Sequence, residues 1–195
     1  MPATQAECKV QNIQPQPTAP DSDLPHPVGS CYGGGVVFYT NGPHGLIAAL
    51  KNASVGGPRY AWDSTNHNVA ITDRVLFSGK TNTTNIIAAE GGADTAQAAR
   101  AAASYNGNGY TDWYLPARDE LTLLYLKTYE TSASFWSHCG GSSPGITTYW
   151  SSTGNHFTDY IGRAYHNAFF VNFGNALIRS YRQNHPAAVR AIRAF

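Results

Sequence analysis

The sequence is poor in charged residues, and it has a single methionine and only three cysteines. Charged residues make up 13% of the 195-residue chain, so Asn, Ser, Thr and Gln must supply much of its polar surface. No apolar run approaches the ~20 residues that a membrane-spanning helix needs. One domain is the default at this length, and we expect no membrane insertion.

Motifs of catalysis and of metal binding are also missing. There is no G-x-S-x-G motif. After Glu130 the only carboxylate is Asp159, so the four histidines of that region have a single acidic residue that could orient one of them as a catalytic base. The seven histidines show no HxH or HxxxH spacing, and the cysteines form no CxxC. We therefore expect no catalytic residue, no metal site and no cofactor, and we expect the chain not to be an enzyme.

The three cysteines are Cys8, Cys31 and Cys139. An oxidising compartment allows one disulfide and leaves one thiol. We favour Cys8–Cys31, which would fasten the N-terminal segment to the domain. A Cys31–Cys139 bridge and three free thiols are the alternatives that the sequence leaves open.

Composition divides the chain into two parts. Residues 1–30 are rich in proline and glutamine, show no periodicity and predict an extended segment; residues 31–195 carry the periodic elements of a domain. We predict a hairpin, two helices and several strands. The hairpin lies in 34–50, the helices are 95–105 and one that starts after Pro116, and the strands are 149–153, 163–173, 176–183 and 187–195.

The stretch 107–125 organises the domain. The aromatic and apolar residues between Tyr110 and Leu115 predict a short strand. Pro116 ends this strand, because proline has no amide hydrogen for the ladder. Leu121, Leu124 and Tyr125 follow at helical spacing and predict an amphipathic helix. We expect this strand, corner and helix to be scaffold and not an active site.

Several motifs together resemble a known family. GYTDWYLPARDEL (109–121), TTYWSST (147–153) and VRAIRAF (189–195), with GGVVFYT and HGLIAA (34–49), resemble the C-terminal domain family of the Legionella collagen-like adhesin. The resemblance covers roughly 33–195. It implies an α+β, C-type-lectin-like fold: a twisted, mostly antiparallel sheet with two helices and long loops. Ala117 departs from the pattern, because a serine-like helix cap is expected there.

The distribution of charge suggests where a ligand binds. Residues 131–195 carry five arginines and one carboxylate, a formal charge of +4, whereas residues 1–130 sum to −3. Solvated arginines that keep the sheet soluble are the bland interpretation. The candidate ligand-binding residues are those basic and aromatic side chains that strands and loops of this region would expose: Arg163, His166, Arg179, Arg182, His185, Tyr160 and Tyr181.

The resemblance and the arginines together predict a secreted or bacterial cell-surface adhesin domain, in a biofilm context. We expect it to bind carbohydrate, namely a host glycan or a sulfated polysaccharide of the glycosaminoglycan type, and not nucleic acid. The EPN and WND motifs of calcium-dependent lectins are absent. Domains of this kind end collagen-like stalks of three chains, so a homotrimer is expected. The alternatives are a protein-binding or structural module of a surface assembly, and a sulfatase-modifying-like enzyme, which the lack of a cysteine pair near the C-terminus disfavours.

Overall fold

A computed structural model of the chain describes residues 26–54, 58–65, 73–89, 96–131 and 134–195. Strands and helices are both present, and the strands form two antiparallel sheets. In chain order the elements are β1 (Cys31–Tyr32), β2 (Gly35–Asn41), β3 (His44–Ala49), α1 (Gly79–Ala89), α2 (Gln97–Ala103), α3 (Arg118–Glu130), α4 (Ser134–Ser137), β4 (Thr148–Thr158), β5 (Ala164–Asn172), β6 (Ile178–Arg182) and β7 (Ile192–Ala194).

The first sheet has the order β1-β2-β3-β7. Its centre is the predicted hairpin of β2 and β3, which turns at Gly42 with a φ of 60°, a left-handed conformation that favours glycine. The C-terminal strand β7 pairs with β3, with Ile47 opposite Arg193. The two ends of the domain therefore meet in one sheet.

The second sheet consists of β4, β5 and β6 in sequential order. The segment before β7 links it to the rest of the domain, because Ala188 accepts a hydrogen bond from the Trp150 amide at 3.0 Å and donates one to Thr148 at 3.0 Å. The predicted single sheet is thus divided in two, and residues 187–195 do not extend the β5–β6 hairpin. The α+β class itself is as expected.

Two apolar clusters form the core. Trp62, Trp113 and Trp150 belong to one of them, and Phe38 and Phe173 belong to the other. Both lie against the second sheet, so β5 contributes core residues from each of its faces: Ala168 packs in the first cluster and Val171 in the second. Alternation along the strand favours the face of Val171, and it does not reveal the second apolar layer that covers Ala168.

The organising stretch differs from the prediction in one respect. Residues 110–115 do not form a strand; they run extended, and Tyr114 makes one isolated antiparallel bridge with Ile192. The amphipathic helix after Pro116 is confirmed as α3, which buries Leu121 and Leu124. The two predicted helices do not include α1 and the single-turn α4.

The disulfide joins Cys31 of β1 to Cys139, which follows α4. The favoured Cys8–Cys31 pairing was wrong, and the alternative pairing is the one found. Cys139 lies 108 positions after Cys31, so no local pattern along the chain could favour this pairing over its rival. Cys8 lies outside the described residues.

The predicted extended N-terminal segment is described only from residue 26. That final part is held against the domain: the Gly29 amide donates to Val37 O at 2.8 Å, and the Val37 amide donates to Ser30 O at 2.9 Å. The imidazole of His26 stacks on Tyr32, with 3.4 Å between ring centroids. Residues 1–25 lie outside the described part of the chain.

Candidate functional site

The turn between β4 and β5 presents one candidate residue at its tip. Asp159 builds this turn, since its Oδ1 accepts the amide hydrogens of Ile161 at 3.0 Å and Arg163 at 2.8 Å. Gly162 completes it with a φ of 83°. Tyr160 therefore stands at the apex, 98% exposed, as the sequence predicted.

The register of β5 and β6 separates the candidate residues into two groups. Arg182 lies opposite Asn167, and Tyr181 lies opposite Ala168. Opposite residues share a face of the sheet, whereas neighbours along a strand point to opposite faces. Arg182 consequently occupies one face, while Tyr181 and Arg179 occupy the other.

A cleft forms where the chain leaves β6. Pairing between β5 and β6 ends at Asn167 and Arg182, so the first residues of β5 have no β6 partner beside them. The cleft has a volume of about 270 Å³. We call it the arginine cleft, and its lining residues are Arg163, Ala164, Tyr165, His166, Asn167, Arg182 and Asn184.

The arginine cleft carries positive charge with little compensation. Nε of Arg163 lies 3.6 Å from Asp159 Oδ2, beyond ordinary hydrogen-bond length, and this arginine side chain is 67% exposed. The Asp159 carboxylate is already engaged by the turn amides and by the Tyr165 hydroxyl at 3.3 Å. Within the described ranges, no carboxylate lies within ion-pair distance of Arg182.

Other candidates lie outside this cleft. Tyr181 is 51% exposed and contacts His185 edge to face, with ring centroids 4.7 Å apart. Together with Arg179 these two side chains form a smaller basic and aromatic group on the second face. The arginine cleft thus has Arg163, His166 and Arg182 in its lining, although the register places His166 on the face of Tyr181 and Arg179, whereas Arg179, Tyr181 and His185 do not line the cleft.

The sequence indicated Tyr165 as one of the aromatic residues that could stack on a sugar, but it did not single out its neighbours. Tyr165 lines the arginine cleft and stacks on Phe157, with centroids 4.8 Å apart and rings nearly parallel at 7°. His156 lies opposite His166, and their Nδ1 atoms are 3.0 Å apart, so one nitrogen donates to the other. Only the pairing of β4 with β5 creates both contacts. Asn184 is likewise brought in by the bend after β6.

Tyr149 and Trp150 are the two aromatic residues of strand β4 that could stack on a sugar if they were exposed. Trp150 is fully buried and donates from Nε1 to Tyr60 O at 2.9 Å, so it belongs to the core. Tyr149 is fully buried as well, so it does not offer a ring face to a ligand.

Metal-binding groups are scarce in the described residues. The one cluster of potential ligands found there is Cys31, His138 and Cys139, and the two cysteine sulfurs of this cluster form the disulfide. Asp63 is buried, and its Oδ1 accepts from the amide and the hydroxyl of Thr65 at 2.8 and 2.7 Å, the pattern of a polar turn. The polar stretch 63–68 could hold a cation by its composition, but residues 66–68 lie outside the described residues.

Two antiparallel sheets and the helices packed around them define an α+β domain, and the arrangement is compatible with the C-type-lectin-like fold. The chain matches the family described as the Lcl C-terminal domain over residues 54–193, and it belongs to that family. This is a C-terminal domain family of collagen-like adhesins, as the motifs indicated. No curated protein matches the chain. No helix within the described residues has the length and apolar character that crossing a membrane requires.

Proposed function

We propose that this adhesin domain binds sulfated polysaccharide of the glycosaminoglycan type through the arginine cleft. The observation that carries the proposal is the convergence of Arg163 and Arg182, from two different strands' ends, on one open cleft beside His166. Membership of the collagen-like adhesin family supports an adhesive role in general.

The chemistry of the cleft suits a sulfate ester. A guanidinium group presents a planar set of donors that matches two oxygens of an oxyanion, whereas the lysine ammonium acts as a point charge. All basic residues after position 130, apart from histidines, are arginines. Asn167 and Asn184 add neutral donors, and the exposed ring of Tyr160 offers an apolar face to a sugar.

The second basic group gives a polymer a further contact. The opposite face of β6 from Arg182 carries Arg179 and Tyr181, with His185 beside Tyr181. A polysaccharide that binds the arginine cleft therefore reaches this group only by crossing the edge of the sheet. We assign the main affinity to the arginine cleft and a supporting role to this group.

The proposal includes the wider context of the domain. It is a binding module and not an enzyme, it works on the bacterial surface or after secretion, and it assembles as a homotrimer. Membership of a collagen-like adhesin family supports this context, because a collagen helix consists of three chains. Binding needs no calcium and no other cofactor, and nucleic acid is not the partner.

A protein-binding or structural role is the second candidate. Ile146 is 84% exposed, and Leu177 and Ile178 are 42% and 43% exposed. Ile146 lies beside Gly174 of the β5–β6 turn, and Leu177 and Ile178 follow that turn, so exposed apolar residues occur at this end of the hairpin. Exposed apolar patches of this kind often mark protein interfaces.

Heparin binding at low and high salt tests the main proposal. The variants Arg163→Ala and Arg182→Ala should each lose affinity, while Arg179→Ala, on the other face, should lose much less. Rising salt should weaken binding steeply, because a polyanion releases counterions when arginine binds it. A chelator should have no effect. Equal losses for Arg182→Ala and Arg179→Ala, or affinity that stays constant as salt rises, would contradict the proposal.

A further inference from the structure

The disulfide has a histidine beside it. Nε2 of His138 lies 3.3 Å from Sγ of Cys139, which is bonded to Sγ of Cys31. The side chains of His138 and Cys31 are exposed, whereas Cys139 is half-buried and packs against the second core cluster. Cys31 is therefore the more exposed residue of the disulfide.

The hydrogen bonding of His138 fixes its tautomer. Nδ1 lies 2.6 Å from Ser134 O, a carbonyl oxygen that can only accept, so the hydrogen of the neutral ring is on Nδ1. Nε2 then carries a lone pair, and this atom faces the sulfur. A proton that the imidazole takes from water is accordingly held at Nε2, next to Cys139.

We propose that this disulfide is a covalent capture site for small thiols, which form a mixed disulfide with Cys31 while Cys139 leaves. The exposed sulfur is the one attacked, and the sulfur beside His138 is the one that departs. A cleft lined by Thr131, Ser134, Phe135 and His138 opens beside the histidine, and the thiol itself approaches Cys31 from solvent.

The exchange step is balanced without an outside oxidant. A thiolate RS⁻ forms a bond to Sγ of Cys31, and the Sγ–Sγ bond breaks with its electron pair on Cys139. The imidazolium of His138 donates its Nε2 proton to that sulfur, replacing the proton that RSH gave to water. The products are a Cys31–S–S–R mixed disulfide and a Cys139 thiol. Exchange is faster when the leaving sulfur is stabilised, which is the role of His138.

The segment that carries Cys31 has other attachments and can stay in place after the exchange. Its backbone bonds from Gly29 and Ser30 to Val37 do not involve the disulfide. Tyr32 lies between His26, on which it stacks, and Phe195, which it contacts edge to face. The mixed disulfide thus forms on a folded domain.

Reaction with glutathione tests the proposal in the full chain with Cys8→Ser, which removes the third thiol. After an acid quench and alkylation, peptide mass mapping should find glutathione on Cys31 and the alkyl group on Cys139. His138→Ala should slow adduct formation by about tenfold, less than the ~10² typical of enclosed general acids, because this ring is exposed. His44→Ala, another exposed histidine, should leave the rate unchanged.

Equal rates in the His138→Ala variant and its parent would overturn the proposal, and so would glutathione found mainly on Cys139. The position of the adduct is read in the parent protein alone, so it decides the matter even if a variant folds poorly. Thermal melts of the unreacted variants establish that each is folded. Heparin affinity is measured separately, so failure here leaves the arginine cleft untouched.

Discussion

Two of the five arginines after residue 130 serve the fold and not the ligand. Arg190 is 1% exposed, donates to Ala49 O at 2.8 Å and to Ser142 O at 3.1 Å, and burial lowers its pKa to about 10. Arg193 forms a two-point pair with Asp112, at 2.7 and 2.9 Å. Arg190 and Arg193 thus both have a structural role. The charge available for a ligand therefore rests on Arg163, Arg179 and Arg182.

Glu120 couples stability to pH. It is fully buried, and its carboxylate accepts the amides of Ala117 at 2.7 Å and Phe77 at 2.8 Å. Burial raises the pKa of Glu120 to about 7, against the opposing effect of these hydrogen bonds. The folded state then binds a proton that the unfolded state releases above pH 4.5. The free energy of unfolding should fall by up to about 3 kcal/mol between pH 4.5 and 7, at ~1.36 kcal/mol per pKa unit.

Denaturant unfolding at pH 5 and pH 8 measures this dependence. Glu120→Gln should flatten the difference between the two pH values, whatever its absolute stability. Glu130→Gln is the control, because Glu130 is exposed and pairs with Lys127 at the surface. An unchanged pH dependence in Glu120→Gln would show that Glu120 is ionised in the folded state.

Trp113 is a second residue on which stability depends. It is 3% exposed, packs edge to face on Tyr105 with centroids 5.1 Å apart, and donates from Nε1 to Tyr110 O at 2.9 Å. Trp113→Ala should destabilise the domain by about 3–5 kcal/mol, the usual cost of truncating a buried large aromatic residue. Thermal melting checks this, with Tyr160→Ala as an exposed aromatic control. An unchanged melting temperature in Trp113→Ala would contradict the buried position.

At the scale of elements, the start of α3 shows how neighbouring segments replace a missing cap. Ala117 has no polar side chain, so it cannot accept a hydrogen bond from the helix amides. Thr153 of β4 accepts the Arg118 amide at 3.0 Å instead, and Arg74 O accepts the Asp119 amide at 3.0 Å. Glu120 reaches back to the Ala117 amide. The departure from the expected serine therefore leaves the helix start satisfied.

Thr153→Val should destabilise the domain by about 1–3 kcal/mol, because it leaves the Arg118 amide without a partner, whereas Asp73 O keeps its hydrogen bond from Asn82 at 2.7 Å. The hydroxyl accepts from Arg118 N and donates to Asp73 O at 2.9 Å, and the residue is 1% exposed. Thr84→Val is a matched control on exposed α1, where Thr84 bonds only to Lys80 O. Chemical denaturation compares the two variants. A loss no larger than that of Thr84→Val would show that water caps the helix instead.

At the scale of the whole molecule, the open question is how many chains assemble. A single arginine cleft with two arginines would hold a polysaccharide weakly, whereas three linked sites raise avidity by about 10² or more without any new contact. We predict a homotrimer for this chain. Light scattering at micromolar concentration should give about three times the 21.0 kDa of one chain. A mass near 21 kDa would mean that trimerisation depends on a stalk outside this sequence.

The sequence alone determined the elements that depend on neighbours along the chain. The β2–β3 hairpin, the α2 and α3 helices and the β5–β6 turn follow from local periodicity and from glycine and proline positions, and the family follows from its motifs. The parity of Arg179 and Arg182 already placed them on opposite faces, as the register confirms.

Tertiary structure decided everything that depends on distant partners. Cys31 meets Cys139 only because β1 packs near the end of α4, and the arginine cleft exists only because β6 ends beside the first residues of β5. Whether an arginine is buried, like Arg190, or open to a ligand, like Arg182, depends on what packs over it. Local sequence sets the direction of a side chain, but the layers that cover that side chain come from elsewhere in the chain.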